Sequence, residues 1–226
     1  MTDSRRELID RIAEHLIGQR PGHPLRVAVD GITAAGKSTF AAELAAALAT
    51  RSRPIARVSM DGYHHPRAHR HRQGRDSADG YYQDAYDFAA FARLVLDPLG
   101  DGRGYRPAII ELATDQAVSP ATVELAPDAV LIVDGSFLQR AELAGRWDEV
   151  IFLQTGFAAA RDRGTLRDAV AFGGVELAGA AFDSRYHAAC RRYLNDIDPA
   201  AHASILVDHD DPTEPRLLRI GGECPG

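Results

Sequence analysis

With 226 residues, 45% of them hydrophobic, the chain is long enough to bury a full core and reads as one domain over 1–226. Its net charge of −6 argues against a general nucleic-acid binder, which needs a positive face to neutralise phosphates. Cys190 and Cys224 lack metal-ligand spacing and form no disulfide framework, and Met1 to Arg11 has no apolar run fit for secretion or membrane insertion; the expectation is a soluble cytoplasmic protein with neither nucleic acid nor membrane as partner.

Residues 4–17 place Leu8, Ile9, Ile12, Ala13, Leu16 and Ile17 at helical spacing, which predicts an amphipathic lead-in helix. Pro21 to Pro24 turns the chain into an apolar strand over 25–30. Then Gly31-Ile32-Thr33-Ala34-Ala35-Gly36-Lys37-Ser38-Thr39 fits the phosphate-cradling pattern G-x-x-x-x-G-K-[ST] at every fixed position, between that strand and an alanine-rich helix from about 37 to 49. Gly31, Ala34, Ala35, Gly36, Lys37, Ser38 and Thr39 are the candidate ATP contacts. Ser38 is placed for magnesium and Lys37 for the β- and γ-phosphates. The chain has 25 arginines and one lysine, and that lysine is Lys37. A compact ammonium enters a tight loop where a forked guanidinium does not.

Residues 54–59 form a second strand, and Asp61 follows it at once. In a doubly wound sheet chemistry gathers outside the carboxyl ends of the strands, so Asp61 is a candidate base for an attacking hydroxyl, with a plain Asp-Gly turn as the alternative. The run from His64 to Arg75 holds four His and four Arg. A metal site, an RNA-contacting patch and a basic flap beside anionic ligands are the readings open for it. Tyr63, Tyr81, Tyr82 and Tyr86, four of the seven tyrosines, lie close to the candidate base in sequence and suit a ring-shaped or sugar-bearing substrate; His65 and Arg163 join them as candidate acceptor contacts.

A helix is expected through about Leu96, then an inserted hairpin over 106–125 with strands at 108–112 and 121–125. Residues 129–135 read as a buried parallel strand ending in Asp134, a second carboxylate for magnesium or else a closing turn. A short helix at 137–143 and a strand at 149–153 follow. The helix expected over 157–170 carries Arg161, Arg163 and Arg167, read either as a solvated basic face or as a lid that neutralises the transferring phosphoryl group. After Phe172-Gly173-Gly174 come a second helix at 177–195, a strand at 204–208, and a loop or tail over 209–226.

Val27 to Phe40, Ser59 to Tyr63, Asp84-Ala85-Tyr86-Asp87-Phe88, Val133 to Leu138 and Arg167-Asp168 occur in the order seen in the uridine kinase, phosphoribulokinase and bacterial pantothenate kinase superfamily, and the chain resembles it over roughly residues 25–210. Within the group it is most similar to uridine kinase. The resemblance implies an α/β P-loop kinase fold: five parallel strands ordered 2-3-1-4-5, helices on both faces, the hairpin insert, and a helical lid with its following helix over 157–195. It also implies ATP and magnesium as cofactors, Asp61 as base, Arg167 in the lid, and a small-molecule hydroxyl substrate, foremost the 5′-hydroxyl of uridine or cytidine. Two departures stand out. Gly80-Tyr81-Tyr82-Gln83 replaces the Phe-Asp-His-Pro run whose Asp holds ribose in uridine kinases, and Phe172-Gly173-Gly174 stands near their basic lid segment. Phosphorylation of pantothenate or another hydroxyl metabolite is the alternative within the class; a nucleotide-dependent switch or partner-regulated ATPase is the alternative outside it. A homo-oligomer is compatible with all three.

Overall fold

The computed structural model describes residues 1–51 and 53–221. Its centre is a sheet of β1 (Leu25–Gly31), β2 (Ile55–Ser59), β5 (Val130–Asp134), β6 (Glu149–Gln154), β7 (Ile205–Asp208) and β8 (Arg216–Ile220), in the order β2-β5-β1-β6-β7-β8. The first five run parallel, so in chain order they lie 2-3-1-4-5, and β8 pairs antiparallel with β7. The sheet therefore has six strands. Residues 216–220 were expected in a loop or tail; Arg216 and Arg219 hide a short edge strand that has no apolar alternation, and residues 222–226, with Cys224, lie outside the described residues.

Helices cover the sheet because its central strands are apolar on both faces, with every residue of β5 buried. The long ones are α1 (Asp3–Gly18), capped by the Thr2 hydroxyl, and α2 (Lys37–Ala49). Short segments α3 (Arg67–Arg70) and α4 (Ala78–Asp84) lead to α5 (Phe88–Phe91), which continues through a π-turn at Ala92–Leu96 into α6 (Asp97–Gly100). Pro98 sits just past the π-turn, whose i→i−5 bonding from Asp97 to Ala92 accommodates its missing N–H, so the helix runs past Leu96.

The hairpin exists in altered register. β3 (Ile110–Glu111) pairs with β4 (Gln116–Ala117), and the turn closes early because Asp115 adopts φ +60°. Residues 121–125 contribute a single bridge, Val123 to Tyr105. The helix expected at 137–143 shrinks to a 3-10 turn at Ala141–Leu143, since Phe137 takes φ +68°.

After β6 come α7 (Phe157–Phe172), closed by Gly173 at φ +82°, then α8 (Val175–Ala181), a π-turn at Phe182–Tyr186, α9 (His187–Ile197) and α10 (Pro199–His202). Register fixes what meets at the carboxyl edge of the sheet. Asp134 lies beside Val29 on one side and Ser59 on the other, so the ends of β1, β2 and β5 open on one spot. No helix among the described residues is long and apolar enough to cross a membrane.

Candidate active site

A cavity of about 710 Å³ lies at that edge. Its floor is the phosphate loop. Gly36 sits at φ +91°, and a Cβ there would come within 3.0 Å of the His209 ring, so only glycine fits the close approach without strain. The first amides of α2 have no preceding carbonyl to bond and no capping side chain, which leaves N–H groups and the positive end of the helix dipole facing the cavity. Lys37 Nζ donates to the Ile32 carbonyl at 2.8 Å, folded back over the loop. Burial holds its pKa below the usual range against the pull of Asp30, Asp61 and Asp134.

The loop is braced from beneath. Buried Asp30 accepts from Gly31 N at 2.8 Å, from Tyr193 Oη at 2.5 Å and from Gln139 Nε2 at 3.1 Å. Burial, partly offset by those bonds, raises its pKa. His209, just past β7, approaches the Ala35 carbonyl through Nδ1 at 2.8 Å and Arg5 Nη1 through Nε2 at 2.9 Å. A carbonyl only accepts, so Nδ1 carries the proton and Nε2 accepts from arginine. Burial holds the ring neutral, its pKa brought down to about 4.

Ser38 Oγ donates to Asp134 Oδ2 at 2.5 Å, and Arg57 Nη2 lies 3.4 Å from the other carboxylate oxygen. A hydroxyl and a nearly buried carboxylate, both hard oxygen donors at a helix N-terminus, suit magnesium, so the residues present fit that ion. Asp61 lines the same cavity. His64 Nδ1 donates to the Ala85 carbonyl at 2.8 Å, which fixes the ring so that Nε2 lies 3.5 Å from Asp61 Oδ1. His64, then Lys37 and Arg167, hold the Asp61 carboxyl below its ordinary range, while 63% of its side chain stays open to solvent. It is ionised at neutral pH, the state in which it accepts a proton. Arg167 also faces the cavity, its guanidinium bidentate on Asp168 at 2.7 Å for both bonds.

The expected acceptor contacts divide. Tyr81 and Tyr86 line the cavity, and Tyr86 stacks on His64 at 4.2 Å between ring centroids. Tyr63 does not: fully buried, it donates its hydroxyl to the Arg106 carbonyl and sets its ring edge-on to Phe91 at 5.0 Å, as a core residue does. Tyr82 lies under the guanidinium of Arg140 at 4.3 Å, away from the cavity. His65 stacks on His69 at 4.0 Å and leaves the cavity wall to its neighbour His64. Arg163 donates to the Asp210 carbonyl at 2.8 Å, on the side of α7 facing the loop after β7. Thr39 is exposed one turn into α2 and does not line the cavity, and Gly31, Ala35 and Gly36 serve through the backbone path of the loop.

The His/Arg run comes to this cavity as well. His64, Arg67, Arg70, His71 and Arg75 line it together with Arg185 from the π-turn before α9. The hairpin ties down that wall: Asp115 accepts from Arg67 N at 2.9 Å and lies 3.3 Å from Arg70 Nη2, while Leu112 reaches the cavity. No group of three or more potential metal ligands occurs among the described residues. Arg185, Arg70 and His209 were not singled out from the sequence. His209 and Arg185 are brought in by long-range packing, and Arg70 is one of four arginines in a run that gives no sign of which ones face inward.

No family model matches the sequence, and no curated protein matches it closely enough to count. Solved structures do match. A possible uridine kinase from Bacillus stearothermophilus superposes with a TM-score of 0.72 at 22% identity, covering 89% of this chain and 97% of that one. A candidate fructose transport system kinase from Silicibacter sp. TM1040 gives 0.70 at 26% identity, with 86% and 95% covered. D-glycerate 3-kinase from Cryptococcus neoformans gives 0.53 at 11%, with 80% and 89% covered. The chain has the fold of these uridine kinase-like P-loop kinases.

Proposed function

We propose that this protein is an ATP-dependent kinase that moves the γ-phosphoryl group to a primary hydroxyl of a small molecule. One observation carries the reading: an ionised carboxylate, Asp61, shares a single cavity with Lys37 and the Ser38–Asp134 pair at the mouth of the phosphate loop. A loop alone binds nucleotide. A carboxylate facing it gives the acceptor proton somewhere to go.

In this reading the loop amides and Lys37 bind the β- and γ-phosphates. Ser38 and Asp134 would hold magnesium, whose charge, when bound, offsets that of the phosphate oxygens. Asp61 orients the acceptor hydroxyl and takes its proton as the new O–P bond forms. His64 lies beside that carboxylate, Lys37 and Arg167 favour its ionised form, and Arg167, steadied by Asp168, offsets charge on the group in transit. The protein's contribution is position and electrostatics; α7, the 64–75 segment and the hairpin are the elements that would close over the site and keep water out.

Uridine or cytidine is the acceptor suggested by the resemblance. The acceptor wall favours a second reading, a hydroxyl metabolite other than a nucleoside. Tyr81 and Tyr82 stand where the ribose-holding acid was expected, and the acids lining the cavity are Asp61, Asp134 and Asp168, each engaged with His64, Ser38 or Arg167.

The test is ADP release from MgATP across a panel of primary alcohols. The kinase reading expects turnover that depends on an acceptor. ATP hydrolysis indifferent to every acceptor and stimulated by a protein partner would establish the switch reading instead.

A further inference from the structure

The far wall of the cavity carries more positive charge than its acids balance. Six cationic side chains, Lys37, Arg67, Arg70, Arg75, Arg167 and Arg185, line the cavity against three acids. The acids belong to the transfer end: Asp61 beside His64, Asp134 on Ser38, Asp168 on Arg167. Among the described residues no carboxylate lies within salt-bridge distance of Arg67, Arg75 or Arg185, and Arg70 has only the 3.3 Å contact with Asp115.

Arg185 is the telling member. It is 8% exposed, yet its Nε is buried without a hydrogen-bond partner among the described residues. Its Nη1 donates to the Arg75 carbonyl, and its guanidinium lies 5.4 Å from the ring centroids of both Tyr81 and Tyr186. Two aromatic faces and one backbone carbonyl fix the fork without neutralising it. A buried guanidinium left unpaired is costly, and an anion supplied by a ligand removes that cost. The π-turn at Phe182–Tyr186 brings it there, a local irregularity that costs helix geometry and often marks a working site. His71 stands among the same groups: burial, then Arg185, Arg70, Arg75 and Arg67, hold its pKa down, so it meets a ligand as a neutral ring.

Resting on the kinase reading above, we infer that the phosphate acceptor is itself an anion, a small hydroxy acid or sugar phosphate, whose carboxylate or phosphate is held by Arg185 and Arg70, with Arg67, His71 and Arg75 around them, while its hydroxyl faces Asp61. The charge does two things. It orients the hydroxyl by anchoring the opposite end of the molecule. It also rejects neutral alcohols and nucleosides, which would leave the arginine wall unpaired.

The experiment compares acceptors that share a carbon skeleton, keep a free primary hydroxyl and differ in charge: glycerate against glycerol, glycerol 3-phosphate against glycerol, pantothenate against pantothenyl alcohol, with uridine as the neutral nucleoside. ADP release gives kcat/KM, and thermal stabilisation in the presence of MgADP gives binding for members that are not turned over. The expected result is a preference of about 100-fold for the anionic member of one pair, with the carboxylate and phosphate arms identifying which group is held. Arg185→Gln should remove most of that preference through KM, and Arg185→Lys should restore part of it. Equal or better use of a neutral partner, an Arg185→Gln enzyme with the wild-type preference, or no stabilisation by any anionic probe would overturn the inference. Uridine turnover would overturn it while leaving the kinase reading intact. Failure of that reading shows differently, as the absence of any ATP-induced stabilisation.

Discussion

The two ends of the cavity are built on opposite principles. At the phosphate loop nearly every polar group is tied to another: Asp30 to Tyr193, Gln139 and Gly31, His209 to Ala35 and Arg5, Ser38 to Asp134, Lys37 to Ile32. At the acceptor wall Arg67, Arg75 and Arg185 face the cavity with no carboxylate at salt-bridge distance among the described residues. The first end is shaped before ligand arrives, as a grip on a constant group must be. The second keeps its charge for what it binds, and so carries the selectivity.

The comparison predicts unequal responses to mutation. The largest follows removal of the only lysine. Lys37→Ala should abolish the thermal stabilisation that MgATP confers on the wild-type protein; an undiminished shift would show that the loop does not grip phosphate. Next is pH. His209 has a folded pKa of about 4 against an unfolded value near 6.5, so the unfolded chain takes up its proton first as pH falls. Its contribution is complete above pH 6.5 and is lost between pH 6.5 and 4, amounting to about 3 kcal/mol. Denaturant titrations across that window should show His209→Gln losing the corresponding pH slope, and a slope equal to wild type would remove His209 from the brace.

Smaller still is Tyr193→Phe, which keeps the ring and deletes the hydroxyl that donates to Asp30 and accepts from Gln139 N at 3.0 Å. Gln139 N is left without a partner and buried Asp30 keeps only Gly31 N and Gln139 Nε2, at a cost of about 1–3 kcal/mol in unfolding free energy. Arg75→Gln should move stability by no more than about 0.5 kcal/mol, because that exposed arginine has no carboxylate partner to lose. A loss as large as that of Tyr193→Phe would mean that the acceptor wall is wired like the loop, and the contrast between the two ends would fail.

Much of the nucleotide end was legible in the sequence because its signals are local. The loop motif is eight residues long, and Asp61 and Asp134 announce themselves just past and at the end of a strand. The braces were not legible, since they are made across the chain: His209 reaches Ala35 from 174 positions away and Arg5 from 204. The acceptor wall was half legible. The His/Arg run was seen as a basic flap among other readings, but Arg185, which faces it, looked like one more arginine on a helix until the π-turn placed it. Tyrosines near a base in sequence suggested substrate contacts, and for Tyr63, just past β2, and Tyr82, on the buried side of α4, packing overrode that, because a large ring is first of all material for the core. The edge strand at 216–220 escaped notice because Arg216 and Arg219 break any apolar alternation in a five-residue run, and what holds it is made across the chain: pairing with β7 and the packing of Leu217 and Ile220 against the core.

The central claim is that Asp61 turns a phosphate grip into a transfer site. It is tested most directly by Asp61→Asn, assayed for acceptor-dependent ADP release alongside MgATP-induced thermal stabilisation in the same preparation. The account predicts transfer reduced by about 10²–10⁴-fold with the stabilisation by MgATP retained. Transfer near the wild-type rate would contradict it.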